Sequence, residues 1–142
     1  MKNFSLIITI LFILFISCEK DESSLGFEPG PPGSYTYQSY DSLGNLIVGG
    51  WLSFDFTDSV GIEGTWNLKN LTDRNDLGPQ IGDGILKGGS SDSRIWMELN
   101  PQFRDNNLHL EGTKYDDRIE GTWAWLTFAG VSNWGTFKAI KN

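Results

Sequence analysis

From Ser34 to Asn142 apolar and polar residues alternate with a period of two in short runs, and Gly, Asn, Asp and Ser cluster between the runs. Successive side chains of an extended strand point to opposite faces, so each such run can bury one face and wet the other. No stretch carries the 3.6-residue apolar stripe of a helix. The alternation predicts eight strands, over residues 35–40, 47–57, 62–68, 83–88, 94–100, 107–114, 118–128 and 134–140. Eight short strands joined mostly by turns imply an all-β domain, an eight-stranded antiparallel up-and-down β-barrel, because closure removes the edges that an open sheet exposes.

Within this pattern the pentapeptide Ile-Glu-Gly-Thr-Trp occurs twice, at 62–66 and 119–123. Each copy opens the second arm of a hairpin, after Leu52-Ser53-Phe54-Asp55-Phe56 and after Leu108-His109-Leu110-Glu111. Alternation places Ile62, Gly64 and Trp66 on the inner face with Glu63 and Thr65 outside; Ile119, Gly121 and Trp123 repeat this against Glu120 and Thr122. A glycine on an apolar strand face permits a sharp bend or lets a large side chain lie over the backbone. The repeat is thus architectural rather than a pair of functional sites.

The Gly-Thr-Trp strands and the last strand, Gly135-Thr136-Phe137-Lys138-Ala139, resemble the calycin group, the lipocalins and avidins. The resemblance implies a calycin-like barrel. Lipocalins carry Gly-x-Trp on their first strand, whereas here the motif is internal and doubled, so no lipocalin or avidin site residue is carried over.

The leader reads separately. Lys2 precedes an apolar run from Phe4 to Ile16, too short to span a bilayer as a helix, where about 20 residues are needed. Phe15-Ile16-Ser17-Cys18 resembles the lipobox of bacterial lipoproteins, which implies a signal peptide over residues 1–17, cleavage before Cys18 and lipid on its thiol. Lys20-Asp21-Glu22 looks like the signal by which one phylum of Gram-negative bacteria sends lipoproteins to the outer face of the outer membrane; a solvated charged spacer is the alternative. Residues 18–33, with Pro and Gly in Gly26-Phe27-Glu28-Pro29-Gly30-Pro31-Pro32-Gly33, read as the lipidated Cys and a flexible linker, and residues 34–142 as one β-barrel domain. The membrane is then met by a lipid anchor only. Losing Lys2 takes the formal charge from −7 to −8. With Lys and Arg scattered among a larger number of acids, the chain lacks the basic stripe that nucleic acid requires.

Catalytic chemistry finds little material. His109 is the only histidine and Cys18 the only cysteine; neither a Gly-x-Ser-x-Gly elbow nor metal-spaced His and Glu occurs. Glu63 and Glu120 face the solvated side of their strands. The expectation is a non-enzyme without catalytic residues, cofactor or metal. The run Asp73-Arg74-Asn75-Asp76-Leu77-Gly78 admits two readings, a calcium loop or an ordinary Asp/Asn turn.

With strands running alternately up and down, the lower end carries short turns at 58–61, 89–93 and 115–117. The upper end carries 41–46, the long stretch 69–82, 101–105 and 129–133. Trp51, Trp66, Trp125 and Trp134 gather at the upper end, with Trp66, Trp123 and Trp125 facing inward and Trp51 and Trp134 outward. The expected function is binding of a small molecule or glycan at this open aromatic end, by Trp51, Trp66, Trp125, Trp134, Phe103 and Phe128, with Asp73, Arg74 and Arg104 supplying polar selection. The alternative is a protein-interaction module, an accessory subunit of an envelope assembly with a fully packed barrel. The first strand starts at the lower end, so a linker with a reach of roughly 20 Å is expected to leave from there and to point the aromatic rim away from the membrane. Cys18→Ser is expected to abolish acylation and leave the precursor uncut at this position, read by metabolic labelling with a fatty acid; normal labelling would refute the lipoprotein reading.

Overall fold

The structure is a computed structural model, which describes residues 26–58 and 60–142. Cys18, Lys20, Asp21 and Glu22 lie outside the described residues. The strands are β1 (Tyr35–Asp41), β2 (Leu46–Phe56), β3 (Gly61–Asn70), β4 (Gly82–Ser91), β5 (Arg94–Glu98), β6 (Asn106–Lys114), β7 (Arg118–Thr127) and β8 (Gly130–Lys141). Each pairs antiparallel with the next, and β8 pairs with β1 to close the barrel. This is the eight-stranded up-and-down architecture that the alternation predicts.

Most boundaries fall within about two residues of the expected ones, and two lie further off for local reasons. β4 runs on to Ser91 because Gly89, Ser90 and Ser91 pair with Trp96, Ile95 and Arg94. β8 begins at Gly130 rather than Trp134: Gly130 pairs with Thr127 and Val131 with Leu126, which leaves Phe128 and Ala129 as a two-residue turn. A register shift beside Trp125 and Leu126 breaks the period of two there, so alternation alone reads this hairpin as a loop.

The interior is filled by side chains, with Tyr37, Leu52, Trp66, Leu86, Met97 and Trp123 among those fully shielded from solvent. They form one cluster with Ile62, Leu68, Leu108, Leu110, Ile119 and Phe137. Each buried indole takes about 200 Å² out of water, worth about 5 kcal/mol at ~25 cal/mol per Å² as an upper bound.

The doubled pentapeptide lies at the centre of this packing. Leu52, Trp66 and Gly84 stand side by side across β2, β3 and β4, and Leu110, Trp123 and Gly135 do so across β6, β7 and β8. The Trp66 indole N–H donates mainly to the Leu99 carbonyl just after β5, at 2.5 Å, with the Ile85 carbonyl of β4 a longer second acceptor at 3.2 Å, and that of Trp123 donates to the Tyr40 carbonyl in β1, at 2.9 Å. In both cases the nearer acceptor lies two strands further round the barrel. β1 to β4 and β5 to β8 are therefore two versions of one four-stranded unit. The glycines explain why the motif repeats so closely: a Cβ at Gly64 would strike the backbone of Ser53 and Phe54, and one at Gly121 that of Glu111 and Gly112. Opposite the rings, a Cβ at Gly84 would stand 3.1 Å from Trp66 Nε1 and one at Gly135 2.8 Å from Trp123 Nε1.

Residues 26–33 do not simply leave the barrel at its lower end. Ser34 is buried and its carbonyl accepts from the Asn142 backbone N–H, 2.9 Å away. Going back from there, Gly30 lies against Trp51, and the Phe27 ring covers Gly49 beside Leu71, where any side chain at Gly49 would collide with it. Since Leu71 follows the upper end of β3, this strap turns back and climbs the outside of β2. The expected departure from the lower pole is corrected by that packing.

Trp123→Ala is expected to cost about 3 to 5 kcal/mol in urea denaturation as a large buried truncation. Gly135→Ala is expected to cost about 1 to 3 kcal/mol, because its Cβ would strike the Tyr40 carbonyl that accepts the Trp123 bond and crowd the same ring, whereas Trp134→Ala, on the outer face, should stay within about 1 kcal/mol of the parent.

Candidate functional site

The upper end, expected to be open, is plugged by its own longest connection. After Asn70 the chain passes over the mouth and makes a short 3-10 helix at Gly78–Gln80 before entering β4. Pro79 at the start of this turn presets its backbone. Leu77 and Gln80 are buried. The Ser39 hydroxyl donates to Gln80 Oε1 at 3.0 Å, and Asn100 Nδ2 donates to the Pro79 carbonyl at 3.1 Å. Trp125 packs so closely on Gly78 that a side chain there would strike the ring. Its indole N–H donates to Asn106 Oδ1 at 3.0 Å.

Arg74 fastens the outer part of this loop. Its guanidinium donates to Asp41 at 3.0 Å and to Asp76 at 2.8 Å, so it is engaged within the cap. The Asp41 carboxyl also accepts the backbone N–H groups of Asn45 at 2.9 Å and Leu43 at 3.0 Å, closing the turn between β1 and β2. These bonds hold the Asp41 carboxyl below the usual carboxylate range, the Asn45 backbone N–H contributing most, its side-chain amide next, and Arg74 less. Arg74 likewise lowers Asp76, chiefly by direct hydrogen bonding. The run 73–78 is thus a loop whose arginine gathers carboxylates. Among the described residues no group of three or more His, Cys, Asp or Glu side chains is placed to hold a metal ion.

The expected site residues separate into three positions. Trp66 is a core residue, and Trp125 is half-buried between the core and the cap. Trp51 lies in the middle of β2, half-covered by Gly30, because the strand starts at Leu46. It borders an outer-wall groove of about 500 Å³ with Thr65, Asn67, Asp83 and Ile85. The remaining aromatics stay at the upper end: Phe103, 57% exposed, in the connection between β5 and β6; Phe128, 89% exposed, at the tip of the β7–β8 hairpin; and Trp134, 54% exposed, on its outer face. Asp73 and Arg104 are exposed in the upper-end connections after β3 and β5. Val131, which the alternation assigns to no site, adds a further exposed apolar side chain to the hairpin. Leu77 and Gln80, which close the mouth, were visible only as an apolar and a polar residue within a long loop.

The lower half has exposed aromatics whose faces are covered. Lys114 Nζ lies 4.7 Å over the Phe56 ring and the Arg118 guanidinium 4.3 Å over Tyr115. On the adjoining wall Trp96 lies across Gly89, near His109 and the ion pair between Arg94 and Glu111. The two repeat carboxylates are also engaged outside, Glu63 with Lys87 at 2.9 Å and Glu120 with Arg118 at 2.9 Å. Exposed pairs of this kind contribute between 0 and about 1 kcal/mol each.

Comparisons with protein-family models, with characterised proteins and with solved structures find no match. Function has to be argued from this geometry.

Because the folded pKa of Asp41 lies below its unfolded value, the associated stability is fully present above the ordinary carboxylate pKa of about 4 and is lost as pH falls through the folded value. Thermal melts of the parent and of Asp41→Asn should therefore differ most at pH 6 to 7 and converge toward pH 2, on the order of the range over which a carboxylate becomes a neutral acid. A gap independent of pH would show that the carboxylate charge does not fasten the turn.

Proposed function

We propose that the protein is a lipid-anchored, non-catalytic docking module of the bacterial cell surface, calycin-like in architecture, which meets an extended surface with its upper end. The observation that carries this reading is the combination of a filled, plugged barrel with an aromatic hairpin left exposed at the plugged end. A ligand-binding barrel needs a concave space lined by apolar and a few polar groups, whereas here Trp66 and Trp125 serve the core and the cap. Exposed aromatics such as Phe128 and Trp134 are the residues that an interface buries. Docking by the outside of a fully packed barrel is therefore favoured over enclosure of a small molecule or glycan. Attachment through Cys18 and export by Lys20-Asp21-Glu22 belong to the same proposal, supported by their sequence.

The absence of enzymatic activity is supported by the placing of the ionisable groups. Glu63, Glu120, Asp41 and Asp76 are tied to cations around the outside or in the cap, and His109 lies on the outer wall.

Hydroxyl-radical footprinting of the mature protein, on intact cells and after purification, tests the contact surface. Phe128 and Trp134 should be several-fold less modified on cells, with Trp96 unchanged. Protection of Trp96 with Phe128 and Trp134 fully reactive would contradict the proposal.

A further inference from the structure

The strap over the outside of β2 bears on which way the exposed hairpin faces. Phe27 is held between Gly49 and Leu71 and thereby brings the chain to the upper end of the barrel by residue 26. If Cys18 is the anchored residue, eight residue steps separate it from Gly26, a contour of at most about 28 Å. A ten-residue strand tilted by about 40° is about 25 Å tall. With the upper end toward the bilayer, the connection needs to span little. With the lower end toward the bilayer it would run the height of the barrel at nearly full extension.

From this direction, and from the apolar chemistry of the hairpin, we infer that the tip of β7–β8 contacts the membrane that holds the anchor, its Phe128, Val131 and Trp134 side chains entering the interfacial layer of the lipid. This rests on the anchored reading above and names the surface that the docking end meets. Tryptophan and phenylalanine favour the headgroup boundary, where an apolar ring meets water. Phe128 stands at the outermost point of a two-residue turn, flanked on one strand by Val131 and Trp134, so the hairpin can enter lipid while the plugged mouth stays above it. The tether removes the need for high affinity: a linked site acts at an effective concentration on the order of millimolar. The lower pole is less suited, since Phe56 and Tyr115 lie under cations. At this end Arg74 is engaged by Asp41 and Asp76, and Arg104 is outnumbered by Asp73 and Asp105, so the contact draws on apolar burial rather than on attraction to anionic lipid.

The mature lipidated protein, reconstituted into phosphatidylcholine vesicles whose chains are brominated near the headgroup, provides the test. Bromine should quench part of the tryptophan emission, and Trp134→Phe should remove at least half of the quenched fraction while Trp96→Phe leaves it unchanged. Phe27→Ser, which frees the strap, should also reduce it. Quenching that persists in Trp134→Phe and disappears in Trp96→Phe would place the lower half on the membrane and overturn the inference. Absence of quenching at Trp134 in vesicles, together with its protection on cells, would overturn the lipid assignment in favour of an envelope protein while leaving the docking end in place. Absence of both would overturn the docking end as well.

Discussion

Two indole-to-carbonyl hydrogen bonds fasten this barrel across its interior. Trp66 reaches from β3 to the end of β5, and Trp123 reaches from β7 to the end of β1. Each such bond is worth only about 1 kcal/mol net, yet a buried indole N–H left without an acceptor costs about 1 to 3 kcal/mol. The rings therefore specify a register as well as adding apolar burial. Gly84 and Gly135 leave the space into which they lie, and Gly64 and Gly121 bring neighbouring backbones close enough for the barrel to curve. Ile-Glu-Gly-Thr-Trp is a compact statement of all three requirements: an inward anchor, a bend without a side chain, and the ring.

Once the interior is filled this way, little space remains for a ligand, and the long loop after β3 completes the closure. Its arginine gathers the carboxylates on either side and its Leu77 and Gln80 enter the barrel. What is left for the proposed docking is the outside. There the β7–β8 hairpin differs from the lower-pole aromatics in having large, unscreened apolar area at its extremity, and the strap gives that extremity a direction. A packed barrel with an aromatic finger and a chain that returns to the same end is suited to resting against a surface.

The strands were legible because one inner face of each is apolar and the turns between them are rich in Gly, Asn and Asp. The inward setting of Trp66 and Trp123 followed from the same parity, as did the outward setting of Trp134. The outward face of Trp51 was legible as well, and the strand over 47–57 already set it four residues below the upper end, where its pairing with β1 keeps it in mid-strand rather than at the rim. The β7–β8 hairpin was hidden by its register shift, which interrupts the only signal available. The strap was hidden for a different reason. Its proline and glycine content describes a chain without a core of its own, whereas its position depends on Phe27 finding the bare backbone at Gly49, a contact between residues far apart in sequence. The plug was hidden likewise, because Gln80 is buried by its bond to Ser39 rather than by any pattern in its loop.

Hydrogen exchange of the tryptophan indole N–H groups, followed residue by residue by NMR, tests the two fastenings most directly. Trp66 and Trp123 should exchange only through global unfolding, with the slowest indole rates in the protein, while Trp96 and Trp134 exchange as freely as an exposed indole. Exchange of Trp66 or Trp123 at a rate near that of Trp134 would mean that the rings are not bonded across the interior, and would contradict a barrel filled and set in register by its doubled motif.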